Sequence, residues 1–198
     1  MIHWFNKSVP FALFFFGAGT FYGQNATVRE SQPVDAAVMF SAEHTRYTYG
    51  DNFWLYGASG ELAFHVKYNI GGVINTTGTT SQGNDGGNSF SKVMTTAGPR
   101  YTLPLEHKRI RIFAEGLFGG VHAFNSVFSA INGPMSSADA FAMQLGGGCD
   151  LSLSRTWSVR LMDVHYVRTN LPNAFTDRQQ DVLLGAGIVW RPIDRTAK

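Results

Sequence analysis

The sequence predicts an all-β fold, an eight-stranded antiparallel up-and-down transmembrane β-barrel behind a cleaved signal peptide, and three observations carry that expectation. The first is Ala140 to Leu153, which sets Phe141, Met143, Leu145, Gly147, Cys149, Leu151 and Leu153 on one parity against Ala140, Ala142, Gln144, Gly146, Gly148, Asp150 and Ser152 on the other. A period of two over fourteen residues is a strand. Its second face is small and polar, the pattern of lipid outside and a narrow polar lumen inside rather than of a soluble sandwich. The second is the apolar run Val9 to Phe21, thirteen residues after Lys7, which ends in small or polar residues at Gly23, Gln24 and Asn25. A membrane helix needs about 20 residues, so this run reads as a secretory signal. The third is that no later segment is apolar enough to be a membrane helix, which leaves a barrel as the way an exported chain could span a bilayer.

At 198 residues the chain suits one domain, with residues 1–24 expected to be the signal and 25–198 the barrel. Its 22 glycines and 16 phenylalanines, spread with Ser and Thr between short apolar segments, favour an all-β class. The formal charge of +2 falls to +1 without Lys7, and no basic block points to nucleic acid. One cysteine excludes an internal disulfide, and Cys149, on the apolar parity, reads as a small hydrophobe.

The strands follow in order. The first runs from about Ala36 to Tyr47, with Val38, Phe40 and Ala42 opposed to Ser41, Glu43 and Thr45. The second, Phe53 to Phe64, opposes Trp54, Tyr56, Ala58, Leu62 and Phe64 to Ser59 and Glu61; a turn at His65 to Lys67 then starts the third at Tyr68. Thr76 to Ser91 is poor in apolar residues and is expected to be a mobile loop. The fourth strand, Lys92 to Leu105, sets Val93, Thr95, Ala97, Tyr101 and Leu103 against Lys92, Thr96, Gly98 and Arg100, with Pro99 demanding a local irregularity. The fifth is Ile110 to Phe124, and Asn125 to Asp139 is expected to be a second mobile, protease-sensitive loop. Strand six is the glycine-rich run above. Strand seven, Thr156 to Val167, loses its alternation near Met162 and Asp163, where a bulge is expected; after a loop at Thr169 to Arg178, strand eight covers Gln180 to Arg191. Tight turns alternate with longer connections, which puts long loops outside and both termini in the periplasm.

Parity and turn length together make a sharper expectation. A four-residue turn at Glu106 to Arg109 pairs Leu105 with Ile110 and sets Arg100 opposite Glu115. A three-residue turn at Ser154 to Thr156 pairs Leu153 with Trp157 and sets Asp150 opposite Arg160. These are expected to be two structural charge pairs that bar the lumen at two levels, since an unpaired lumenal charge is costly.

The segments GPRYTLPL (Gly98 to Leu105), FAEGLFGGVHA (Phe113 to Ala123), AFAMQLGGGCDLSLSRTWSVRLMDVHYVRT (Ala140 to Thr169) and LLGAGIVWR (Leu183 to Arg191) resemble the OmpA-like eight-stranded outer-membrane β-barrel proteins, in the short form without a peptidoglycan-binding domain. The resemblance extends over about 95 residues, all in the second half. It implies a bacterial outer-membrane location. Two departures stand out: Phe40-Ser41-Ala42 replaces the family's Gly-Tyr pair in the first strand, and Trp190 is followed by Pro192 to Lys198 rather than ending the chain.

Sequence chemistry favours a structural or surface-interaction role through the loops over catalysis. Some barrels of this size modify lipids with a His, a Ser and an acidic residue, and His122, His165 and Asp163 are the residues that could serve; neither histidine lies in a catalytic motif, and both are expected at a loop rim or girdle. His44, His65, His107, His122 and His165 offer no close pair at metal-ligand spacing, so neither metal nor cofactor is expected. The expected partners are outer-membrane lipid and surface ligands at the loops, with a monomeric chain. The alternatives are a narrow porin-like channel, which eight strands leave little room for, a lipid-modifying enzyme and a soluble lipocalin-type barrel.

Overall fold

The computed structural model describes residues 34–46, 52–81, 90–103, 105, 109–130, 133–172 and 178–192. The expected signal, the tips of the connections at 47–51, 82–89 and 173–177, and the tail from residue 193 lie outside the described residues. Eight strands are present: β1 (Val34–Arg46), β2 (Asn52–Lys67), β3 (Ile70–Ser81), β4 (Phe90–Thr102), β5 (Ile110–Ala130), β6 (Gly133–Ser152), β7 (Trp157–Thr169) and β8 (Gln179–Trp190). Each pairs antiparallel with its neighbours in sequence, and β1 pairs with β8 from Ala36↔Trp190 to His44↔Val182, closing the barrel. Closure leaves no strand edge unpaired in the barrel wall, beyond which the distal β5–β6 hairpin projects.

Parity sorts the side chains as the alternation requires. Val38 and Phe40 of β1, Trp54, Tyr56, Leu62 and Phe64 of β2, and Phe141 and Leu145 of β6 are exposed on the outer face. Ser41, Glu43, Ser59, Glu61 and Gln144, on the other parity, are buried. Aromatic rings gather towards both ends of the outer surface. Trp54 and Tyr56 stack near one end with centroids 6.4 Å apart, Phe40 extends the stack to the middle of β1 at 6.3 Å from Tyr56, and Trp157 pairs across the ladder with Trp190 at the other end. This is the girdle arrangement of a chain with an apolar belt between two wet interfaces.

Backbone irregularities have local causes. Pro99 pairs with Gly72 of β3, but the β4–β5 ladder skips Gly98 and Pro99 and resumes in unchanged register. Leu103 N–H donates to Ile112 O of β5, so the odd-numbered amides of β4 face β5 and the N–H that Pro99 lacks is missing on that side. In β7 the register shifts between Arg160 and Asp163, and it shifts against β6 at the same place. That bulge reverses parity: Arg160 is inward before it and Asp163, His165, Val167 and Thr169 are inward after it.

Three expectations are corrected. The third strand begins at Ile70, because Tyr68 and Asn69 take φ of 54° and 65° and form the two central residues of the β2–β3 turn; paired positive φ values are what a tight primed turn needs. Half of the expected loop from Thr76 to Ser91 is strand, since β3 continues to Ser81 and β4 starts at Phe90. Thr77 and Thr79 are buried against the lumen there, so a polar composition marks an inward face, not a loop. The expected loop from Asn125 to Asp139 is instead the distal part of a long hairpin. β5 runs 21 residues and β6 runs 20, and after an irregularity between Phe124 and Phe128 the ladder closes at Ala130↔Gly133.

The lumen is also less uniformly polar than expected. Towards the long-connection end an apolar cluster of Leu55, Met94, Val121, Val167 and Leu183, with Leu171 folding in from beyond β7, packs beside the buried Lys92, Glu43 and Asp181.

Leu145 is exposed on the outer face near the middle of the barrel wall, and Ile112, the third residue of β5, is exposed near the tight-turn end. Leu145→Arg is expected to cost about 2–4 kcal/mol of stability in bilayers and Ile112→Arg about 0–1 kcal/mol. Urea unfolding in lipid vesicles measures it, and a cost near zero at Leu145 would mean that this face does not meet lipid.

Candidate functional site

The chemically distinctive region is the lower lumen, between the barrel's midpoint and the tight-turn end. Arg100 and Glu115 are register partners on β4 and β5, and Asp150 and Arg160 are partners on β6 and β7. Arg100 Nε–H donates to Glu115 Oε2 at 2.5 Å, and Arg160 Nε–H donates to Asp150 Oδ1 at 2.9 Å. All four side chains are buried.

They are not two separate bars. Glu61 of β2 joins them: its Oε2 lies 2.7 Å from Arg100 Nη2 and 2.9 Å from Arg160 Nη1. Arg160 Nη1 also reaches Asp163 Oδ2 at 3.3 Å. Below, Arg191 donates from Nη2 to Asp150 Oδ2 at 2.8 Å and from Nε to Asp35 Oδ2 at 3.2 Å, and Arg111 donates to that same Asp35 oxygen at 2.9 Å. The result is one continuous network rather than two levels. Glu61 with Arg100 and Arg160, Arg191 with Asp150, and Asp35 with Arg111 are contacts that pairing of adjacent strands could not supply, because they cross the lumen, whereas Asp35 and Arg191 continue the register of the adjoining β1 and β8.

Aromatic and glycine residues shape the network. The guanidinium carbons of Arg100 and Arg160 lie 3.9 and 4.5 Å from the ring centroid of Phe113, a buried inward aromatic on β5. Cation–π contact of this kind strengthens when both partners are desolvated. Phe113 pairs with Gly148, where a Cβ would come within 2.7 Å of the ring, and a Cβ at Gly146 would come within 2.6 Å of His165 Cδ2. The small inward face of β6 is therefore the space that Phe113 and His165 fill.

His165 corrects a further expectation. It is buried in the lumen rather than at a rim, because the β7 bulge turns it inward. Its Nδ1 is 2.8 Å from Gln144 Oε1, and its Nε2 is 2.9 Å from Asp163 Oδ1 and 3.2 Å from Glu115 Oε1. Both ring nitrogens are thus engaged, and neither is left to activate a hydroxyl. His122 is exposed on the outer face, its Nδ1 2.7 Å from Asp139 Oδ1.

Nearer the long connections, Lys92 sits fully buried between Glu43 and Asp181, at 2.5 and 3.0 Å. Thr79 donates to Glu43 at 3.2 Å and Thr45 donates to Asp181. Ser41, Ser59 and Thr77 continue a hydroxyl ladder around the wall.

No protein-family model matches the chain, and no curated protein matches its sequence. Solved structures do match its shape. Neisserial surface protein A superposes with a TM-score of 0.65 at 8% identity, covering 80% of this chain and 97% of that one. Ail, the attachment invasion locus protein of Yersinia pestis, gives 0.53 at 16% identity, covering 80% of this chain and 99% of its own. The fold is that of the small eight-stranded outer-membrane barrels. Ail has also been solved with the heparin analogue sucrose octasulfate, and that structure matches at 0.54 and 18% identity.

Removing one member of a buried ion network leaves the others uncompensated, at a cost of about 3–5 kcal/mol. Glu61→Ala strips a carboxylate from both Arg100 and Arg160, so it is expected to fall in that range by urea unfolding. A cost below about 1 kcal/mol would show that the two flanking pairs are self-sufficient.

Proposed function

We propose that this chain is a bacterial outer-membrane barrel whose working part is the rim that carries the long connections, with a structural or surface-interaction role and no catalytic one. What supports this best is the projecting hairpin: among the described residues, 125–136 pair only with one another, beyond the reach of β4 and β7. The interior supports it too, because an apolar plug above an ion network leaves no described path for a solute. The tight turns and both termini would then face the periplasm, residues 1–24 would be removed on export, and the apolar belt would be solvated by lipid around a single chain.

Ail's sulfated ligand does not transfer simply. The connections 47–51, 82–89, 131–132 and 170–178 hold Asp51, Asp85 and Asp177 against the single basic residue Arg178. A polyanion is disfavoured by that charge, and an uncharged glycan or a protein surface fits it better.

Whole cells displaying the chain, tested against immobilised glycans and proteins, should retain a ligand. Deleting residues 126–136 should abolish that retention while the folded barrel still shifts its gel migration on heating. Retention that survives the deletion, or a chain absent from the outer-membrane fraction, would overturn the proposal. Reconstituted protein should show little steady conductance, and a large ohmic channel from the unmodified chain would favour the porin-like reading instead.

A further inference from the structure

We propose that the lumen holds one divalent transition-metal ion between Glu115 of β5 and Asp163 and His165 of β7. The donor atoms Glu115 Oε1, Asp163 Oδ1 and His165 Nε2 all lie within 4.8 Å of one another, with the imidazole nitrogen 2.9 Å from one oxygen and 3.2 Å from the other. A tetrahedral zinc ion with bonds of 2.0–2.2 Å needs its donors about 3.3 Å apart. Both nitrogen–oxygen separations are already near that spacing.

The histidine's other side defines what the cluster presents. Gln144 Nε2 donates to Thr96 Oγ1 at 3.0 Å, which turns the amide oxygen to His165 Nδ1. A carbonyl at that nitrogen holds the proton there and aims the lone pair of Nε2 at the two carboxylates. Three electron-rich atoms then face one another in a buried site, an arrangement that needs a cation among them.

A proton could be that cation, but it leaves a remainder. One Nε2–H can serve Asp163 Oδ1, and Glu115 Oε1 is left buried with no hydrogen-bond partner, on a side chain with no solvent exposure. A metal ion satisfies all three atoms at once. The outer atoms are held from behind: Arg100 takes Glu115 Oε2, Arg160 takes Asp163 Oδ2 and Gln144 takes Nδ1. Fixing ligands in this way is what outer partners do at metal sites.

Two further observations point the same way. Beside Asp163 and His165 lies a cavity of about 10 Å³, bordered by Ser41, Ser59, Asn75 and Gln144. That is about the room for one water, which could complete the coordination. Among the described residues, seven buried carboxylates (Asp35, Glu43, Glu61, Glu115, Asp150, Asp163 and Asp181) outnumber four buried basic side chains (Lys92, Arg100, Arg160 and Arg191), so the interior can accept positive charge. One imidazole with two carboxylates suits zinc, manganese or ferrous iron, while calcium and magnesium prefer oxygen alone. Histidine spacing missed the site because its ligands come from two strands that are not neighbours and from a parity reversal at the bulge.

The test uses the full chain, both as purified from membranes and after refolding in detergent with Zn²⁺. After dialysis it should retain about one zinc per chain, and its unfolding temperature should rise relative to metal-free protein. Cobalt in place of zinc should give the intense visible absorption of a four-coordinate site, which reads the wild-type chain directly. Glu115→Gln and His165→Gln, checked for folding by heat-shifted migration, should lose the retained metal, while His122→Gln keeps it. Zinc absent from both wild-type preparations would overturn the proposal in favour of a protonated histidine. Zinc retained in both folded variants would overturn it by placing the metal elsewhere.

Discussion

Closing eight strands leaves an interior only wide enough for side chains, and every charge that points into it must find its counter-charge there. That constraint governs the lower half of this protein. Arg100 and Arg160 share Glu61, Arg160 and Arg191 share Asp150, and Arg191 and Arg111 share Asp35. The network draws on β1, β2, β4, β5, β6, β7 and the residue after β8, so it crosses the lumen where backbone ladders run only around the wall. A buried ion pair contributes little net stability compared with an apolar replacement, but it punishes any arrangement that leaves one partner alone. Its effect here is to specify one closed register.

The β7 bulge is the second element that organises the interior. One displaced residue carries Asp163 and His165 to the inside, beside Glu115 and Gln144, where uninterrupted alternation would send Val164 and Tyr166. The glycines of β6 and Gly185 of β8 leave the space that this requires, Gly185 having Asp163 Cβ 3.2 Å from where its own Cβ would be. The polar centre of the lumen is thus a joint product of a backbone irregularity and residues small enough to tolerate it.

Low identity with a shared shape follows from the same physics. The outer face needs only apolar bulk and the inner face only mutual satisfaction, so many sequences meet both demands. Neisserial surface protein A matches the shape at 8% identity. What individual members do is then left to the connections at the rim, the part of such a barrel that closure constrains least.

Strand number, face assignment, the Pro99 irregularity and the β7 bulge are legible in the sequence because each is a local consequence of alternation or of a missing N–H. The facing of Arg100 with Glu115 and of Asp150 with Arg160 is arithmetic on two short turns and belongs to the same level. Polar composition misled where Thr76 to Ser81 and the distal β5–β6 hairpin read as loops, since neither a strand facing a hydroxyl-lined interior nor a hairpin projecting beyond the barrel wall needs an apolar signature. Glu61 between two arginines, Arg191 on Asp150, the apolar plug around Leu55 and Met94, and the meeting of Glu115 with Asp163 and His165 were decided only by the tertiary structure. Each is a contact across the lumen, and which residues meet there depends on how closure staggers strands that are not neighbours, a quantity that no single strand or turn encodes.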